Sequence, residues 1–216
     1  MNDEKSIRGI FKEYQRLTDQ SGLTLNADKT EILNLNPLSV KDQYKVEYND
    51  QVINIESVTS LKICGIFFCN VDKDEYNLNV LEKINKLKTK LKLWQSRHLT
   101  LEGKSLILKT FGISQLIYNM QCTSIKNEDL KRTEQFIFNF LWGTKNIEDP
   151  RARDRIKRSI MKNEYNVGGL KITDIECLDK SLKLRQYIRA NNSKHIIQDI
   201  QKYCAMCNGE ANVLAQ

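Results

Sequence analysis

Apolar residues at Ile7, Ile10, Phe11, Tyr14 and Leu17 recur at the spacing of one helix face and run into Ser21-Gly22, a stop signal. The chain therefore opens on an amphipathic helix. The period then shortens. LTLN (23–26) and TEILNL (30–35) are short apolar runs bounded by polar residues, and both read as strands. Tyr44, Val46 and Tyr48 alternate up to Asn49-Asp50, and VINI follows, the pattern of a hairpin. LKICGIFF (61–68) is a further apolar run with Gly65 inside it, which predicts a bend or the close approach of another backbone.

Beyond residue 75 the pattern is helical. Val80, Ile84, Leu87, Leu91 and Trp94 form one stripe of a helix whose other faces carry lysines. Leu106, Thr110, Ile113, Ile117 and Met120 predict a second helix after LTLEGK. Leu130, Thr133, Phe136, Ile137, Phe140 and Leu141 predict a third, with Asn127 as N-cap. GTKNIEDP (143–150) interrupts the pattern. A short basic helix (151–162), a turn at Gly168-Gly169 and a helix from Asp174 through Leu178, Leu182, Tyr187 and Ile188 complete it. The expected class is α+β: small antiparallel strands with one N-terminal helix, then an all-helical region. The expected divisions are 1–74, 75–145 and 146–216, with polar linkers near 70–77 and 143–150.

Composition sharpens this reading. Two prolines and nine glycines in 216 residues leave long helices uninterrupted. The formal net charge of +7 is unevenly placed. Residues 80–110 hold Lys83, Lys86, Lys88, Lys90, Lys92, Arg97, Lys104 and Lys109 against Glu82 and Glu102, and residues 151–162 hold six cations against Asp154. These two stretches exceed the charge of the whole chain, so the remainder is net acidic. Concentrated positive charge is what a phosphate-binding surface requires, although a lysine-rich helix face is also a common solvated one. No apolar run approaches the length that crosses a bilayer. The N-terminal MNDEKSIRG has no apolar secretory segment, and six scattered cysteines read as free thiols. The expectation is an intracellular protein, cytoplasmic or nuclear and not secreted, with no membrane partner.

Several stretches carry more specific information. FKEYQRLTDQSGLTLNADKTEILNL (11–35) joins a helix, a glycine stop and Gly-x-x-x-Asn-x-x-Lys-Thr leading into a strand. LWQSRHLTLEGKSLILKTFGISQLIYNM (93–120) sets a tryptophan and a basic residue before Leu-Thr-Leu-x-Gly-Lys and a helix. With LKICGIFF, QFIFNFLWG (135–143) and NVGGLKITDI (166–175), these blocks resemble, over nearly the whole chain, the region that follows the catalytic aspartates in LINE-type (non-LTR) retrotransposon reverse transcriptases.

The resemblance implies that residues 1–74 complete a polymerase palm and that 75–145 form a helical thumb. It matches Gly22, Asn26, Lys29 and Thr30 to the palm-end motif and puts Lys29 near the leaving pyrophosphate, as an auxiliary general acid. Read alone, Lys29 is a surface lysine at a turn. Gly65 corresponds to the strand pair gripping the primer end, with Cys64 where the family has a large aliphatic residue; a glycine in such a run is also a common bulge. Gly103 and Lys104 at a helix start, with Arg97 before them, present N–H groups and cations suited to phosphate. The implied nucleic-acid-binding residues are Asn26, Lys29, Gly65, Arg97, Gly103 and Lys104. Phe136, Phe140 and Trp142 share the helical apolar spacing and read as core.

The family's chemistry needs adjacent aspartates that hold two Mg²⁺ ions, and this sequence contains no Asp-Asp pair. The family places that pair just before the helix that opens this chain. The expectation is a fragment that lacks fingers, active-site hairpin and endonuclease and is inactive alone, with Mg²⁺ implied for the intact enzyme only. Its expected partners are a template–primer duplex of RNA and DNA and the missing N-terminal polymerase part, with no small-molecule cofactor. Cys204 and Cys207 have metal-like spacing, but His98 and His195 are the only histidines and no second pair follows, so free thiols are expected. The competing readings are a non-catalytic nucleic-acid-binding module and a helical protein-interaction module.

Overall fold

A computed structural model describes residues 4–35, 43–150 and 152–192. The class is α+β, and the chain divides into two compact units, Met1–Asn79 and Val80–Gln216.

The first unit opens with α1 (Glu4–Ser21), ended by Gly22 at φ +71, a left-handed conformation that favours glycine. Strand β1 (Ile32–Leu33) follows, then β2 (Gln43–Tyr48) and β3 (Gln51–Val58). Asn49 and Asp50, at φ 49 and 57, make the two-residue turn expected between alternating strands, and Tyr48 pairs with Gln51. Strand order is β1-β3-β2, and β1 runs parallel to β3, so this sheet is mixed where an antiparallel one was expected. Phe11, Val46, Tyr48 and Ile55 form the core, with Ile7, Leu25, Ile32 and Ile53 packed against it. The Tyr48 hydroxyl ties helix to sheet: it shares a 2.6 Å hydrogen bond with Thr18 Oγ1 and accepts from the Leu25 N–H at 2.8 Å.

Two local expectations need correction. LTLN is not a strand; residues 27–29 form a 3-10 turn because the Asn26 side chain accepts from the Lys29 N–H at 3.2 Å. TEILNL contributes only Ile32–Leu33 to the sheet. LKICGIFF does bend at Gly65: it is a second hairpin, β4 (Ser60–Ile63) and β5 (Ile66–Cys69), with Gly65 at φ 88 in its turn and no bulge there. The apolar stripe of α1 also misleads in part. Phe11 faces the core, whereas Ile10, Tyr14 and Leu17 are exposed and line a shallow apolar groove with Ser6, Gly9 and Glu13. The polar stretch after β5 carries a short helix, α2 (Asp72–Tyr76).

The second unit is helical. Its elements are α3 (Glu82–Gln95), α4 (Leu101–Ile107), a wider π turn (Leu108–Ile113), α5 (Ser114–Cys122), α6 (Asn127–Trp142), α7 (Arg158–Lys162) and α8 (Ile175–Asn192). On α3 the expected stripe is buried through Ile84, Leu87 and Leu91. The next stripe is displaced. Ser105 is buried before the π turn, Leu108, Gly112 and Ile113 within it, and Leu116 and Met120 after it, while Leu106 is exposed. An extra residue in one turn rotates the face, which a strict 3.6-residue period does not register. Gly112 keeps this crossing close, since a Cβ there would meet the Leu87 and Leu108 side chains at 3.2 and 3.3 Å.

Helix α6 packs against α3, α4 and α8 and is buried almost all round from Phe136 to Trp142. Its N-cap position falls on Lys126, with Asn127 as the first helical residue. Residues 143–150 are no linker: Ile147 is buried, and the Asn139 side chain donates to the Ile147 and Asp149 carbonyls. The expected basic helix is shortened to α7. Asp174 caps α8 by accepting from the Cys177 N–H at 3.0 Å.

Candidate nucleic-acid interface

Much of the concentrated positive charge is answered inside the second unit. Lys88 and Lys92, on one flank of α3, both bond Glu148 at 2.9 and 3.0 Å. Those hydrogen bonds hold the Glu148 carboxyl at about 2, down from an ordinary 4.5. Arg158 reaches Asp154 at 2.8 Å and Glu134 at 3.2 Å. Lys162 lies 2.6 Å from both Glu134 and Asp174. Burial works against the Lys162 charge, but its hydrogen bonds to Asp174 and Glu134 outweigh that and raise the ammonium above its ordinary value. Within 152–162, Arg158 and Lys162 therefore act as an internal clamp, while Arg153, Arg155 and Lys157 are exposed.

A depressed carboxylate contributes stability that is present above its unfolded pKa and lost as pH falls through the folded one. Glu148 should thus contribute fully above pH 4.5 and lose that contribution towards pH 2. Glu148→Gln is expected to lower stability at neutral pH and to flatten the acid loss between those values. Urea midpoints of both proteins along that range measure it, and parallel profiles would refute it.

Gly103 and Lys104 do not present themselves to an anion. The Gly103 N–H donates to Thr100 Oγ1 at 3.2 Å and the Lys104 N–H to the Thr100 carbonyl at 2.9 Å, so Thr100 caps α4 and satisfies both donors. The Lys104 ammonium turns inward, 3.3 Å from the Leu141 carbonyl in the last turn of α6 and 5.8 Å from the Phe140 ring. A cation there complements the negative helix end. Burial, with the Arg155 charge adding to it, lowers its pKa. Lys109 is similarly engaged, donating to the Leu170 carbonyl at 2.9 Å and the Tyr165 hydroxyl at 3.1 Å.

The other flank of α3 differs. Lys83, Lys90 and Trp94 share one edge by their spacing, and Arg97 lies over the Trp94 ring with its guanidinium carbon 4.3 Å from the centroid. Trp94 stacks on Phe111 at 6.1 Å between centroids and 24° between planes. Lys90 and Arg97 are exposed and Lys83 is partly so; none of the three makes an ion pair with a described carboxylate. Phe111 is 56% exposed. Sequence reasoning found Arg97 but missed Phe111, whose signal was an aromatic ring off the predicted apolar stripe of a helix neighbouring a basic one.

In the first unit, Asn26 and Lys29 share one turn. The Asn26 side chain is engaged with the Lys29 N–H, and the Lys29 side chain is exposed. Gly65 sits with Cys64, φ 49, at the tip of the β4–β5 hairpin. Among the described residues no three His, Cys, Asp or Glu side chains converge as a metal site. Cys204, Cys207 and His195 lie outside the described residues. No described helix is long and apolar enough to cross a membrane. No family model matches the chain, and no curated protein matches it.

Proposed function

We propose that this chain is the palm-end and thumb portion of a LINE-type reverse transcriptase, binding a template–primer duplex or RNA without polymerising on its own. The observation that carries the binding is the edge of α3, where Lys83, Lys90 and Arg97 are left without described carboxylate partners while neighbouring cations are neutralised internally. Lys83 and Lys90, about 10 Å apart along the helix axis by their seven-residue separation, with Arg97 just past its end, can reach separate phosphates of one backbone. The motif blocks support the family assignment, and the lack of an Asp-Asp pair supports the absence of catalysis. In this reading Lys104 holds the thumb-like helices together and touches no phosphate, and Lys29 remains the palm-end cation.

The test is titration of a labelled RNA–DNA duplex at several salt concentrations with the full chain and with Lys83→Ala/Lys90→Ala/Arg97→Ala. The log–log salt slope should be steep for the unsubstituted protein and shallower by about one per phosphate contact removed. Binding indifferent to salt, or an unchanged slope in the folded triple variant, would overturn the proposal.

A further inference from the structure

We infer that the Trp94–Phe111 stack is a platform for unpaired bases, so that the α3 edge takes a single strand beside or in place of a duplex. This rests on the proposal that the same edge binds phosphates. Two features coincide at this place. One is an aromatic pair in near-parallel stacking, its outer member Phe111 56% exposed although it lies beside a helix whose apolar stripe is otherwise buried. The other is the set of cations flanking the rings: Arg97 at 4.3 Å from the Trp94 centroid, and Lys90 one turn before Trp94 on α3.

Stacked rings with adjacent cations are what an unpaired strand requires, because every base has a π-face to lay on an aromatic ring and a phosphate to place on a cation. A closed duplex offers its phosphates to such a surface but not its base faces. A protein partner fits less well, since exposed cations without described counter-charges would need a matching acidic surface beside the rings. The Arg97 guanidinium adds a planar cation on which a base can also stack.

Binding of an oligothymidylate of about 12 nucleotides and of a blunt RNA–DNA duplex to the full chain tests this, beside Phe111→Leu, which keeps apolar bulk and removes the ring. Phe111→Leu should weaken single-strand binding about ten-fold or more, leave duplex binding within about two-fold, and leave the salt slope unchanged, because a ring contact releases no counterions. In the unsubstituted protein, saturating oligothymidylate should quench tryptophan emission through Trp94, a readout that holds even if the variant fails to fold. Equal single-strand affinity of wild type and folded variant, or no quench at saturation, overturns the platform while leaving duplex binding intact. A folded wild type that binds neither probe overturns the phosphate-binding edge and the platform together.

Discussion

Gly169→Ala should destabilise the helical unit by about 3 kcal/mol or more, and it should do so without any help from an unusual backbone angle. A Cβ at this position would lie 2.1 Å from the Asn163 carbonyl oxygen, 2.4 Å from its carbon and 2.8 Å from the Asn163 Cα. The obstacle is main chain, not the tip of a flexible side chain, so a rotamer change cannot relieve it. The segment is also held in place. The Gly169 N–H donates to the Glu164 carbonyl at 2.9 Å, Lys171 N–H to the Asn163 carbonyl at 2.8 Å, and both Leu170 and Ile172 N–H groups to the Met161 carbonyl at 3.1 Å. Making room for a methyl group means breaking some of these bonds and withdrawing Ile172, which is buried. Lys109 and Ser105, which reach the Leu170 carbonyl, would lose their partner as well.

Gly168 supplies the contrast. It has the left-handed φ of 79, yet nothing lies within 4 Å of its Cβ position, so Gly168→Ala should cost only about 1–2 kcal/mol of backbone strain. Urea unfolding followed by tryptophan emission reports on the correct unit, since Trp94 and Trp142 both belong to it. The expected order of midpoints is wild type, then Gly168→Ala, then Gly169→Ala. A Gly169→Ala midpoint at or above that of Gly168→Ala would show that the loop moves freely away from α7.

The Gly-Gly pair was legible as a turn, but which glycine is indispensable was not, because the neighbour that excludes a side chain lies six residues back on a folded loop. The same division runs through the chain. Features written in local spacing emerge from the sequence: α1 and its stop, the Asn49-Asp50 hairpin, the buried stripe of α3, and the core positions Phe136, Phe140 and Trp142. Features set by a single inserted residue or by a distant partner do not. The π turn rotates the stripe after LTLEGK, and the Asn26 side chain converts an apparent strand into a 3-10 turn.

The candidate interface shows this division most clearly. Lysine spacing on α3 identified a basic helix, yet it could not show that Glu148, more than fifty residues later, answers Lys88 and Lys92. Nor could the Gly-Lys pair reveal that Lys104 turns toward the end of α6. Both are tertiary facts, and in the proposed reading the candidate phosphate contacts on the helical unit are Lys83, Lys90 and Arg97 and no longer include Gly103 and Lys104. Charge runs in a sequence identify how much cation is present; only the fold decides how much of it remains for a partner.

Asn139→Asp, nearly isosteric, is expected to cost about 2–4 kcal/mol and to open the 143–150 segment to protease. Asn139 is fully buried, and its Nδ2 donates at 2.8 Å to each of two carbonyls, those of Ile147 and Asp149. Carbonyl oxygens only accept, so the amide nitrogen must face them. Its Oδ1 correspondingly accepts from Gln135 Nε2 at 2.9 Å. The Asn139 main chain completes the clasp, its carbonyl accepting from the Thr144 N–H and hydroxyl, both at 3.1 Å. A carboxylate in place of the carboxamide leaves two carbonyls without a donor and sets negative charge against them in a water-poor site. Release of this clasp would free Ile147, now buried, and withdraw Glu148 from Lys88 and Lys92, so a change in the core would alter the charge of the α3 flank. Limited trypsinolysis at the exposed Lys145, with the urea midpoint measured alongside, checks both consequences. Faster cleavage and a lower midpoint are expected. Unchanged cleavage with an unchanged midpoint would mean that Ile147 and the Glu148 ion pairs hold the segment without Asn139.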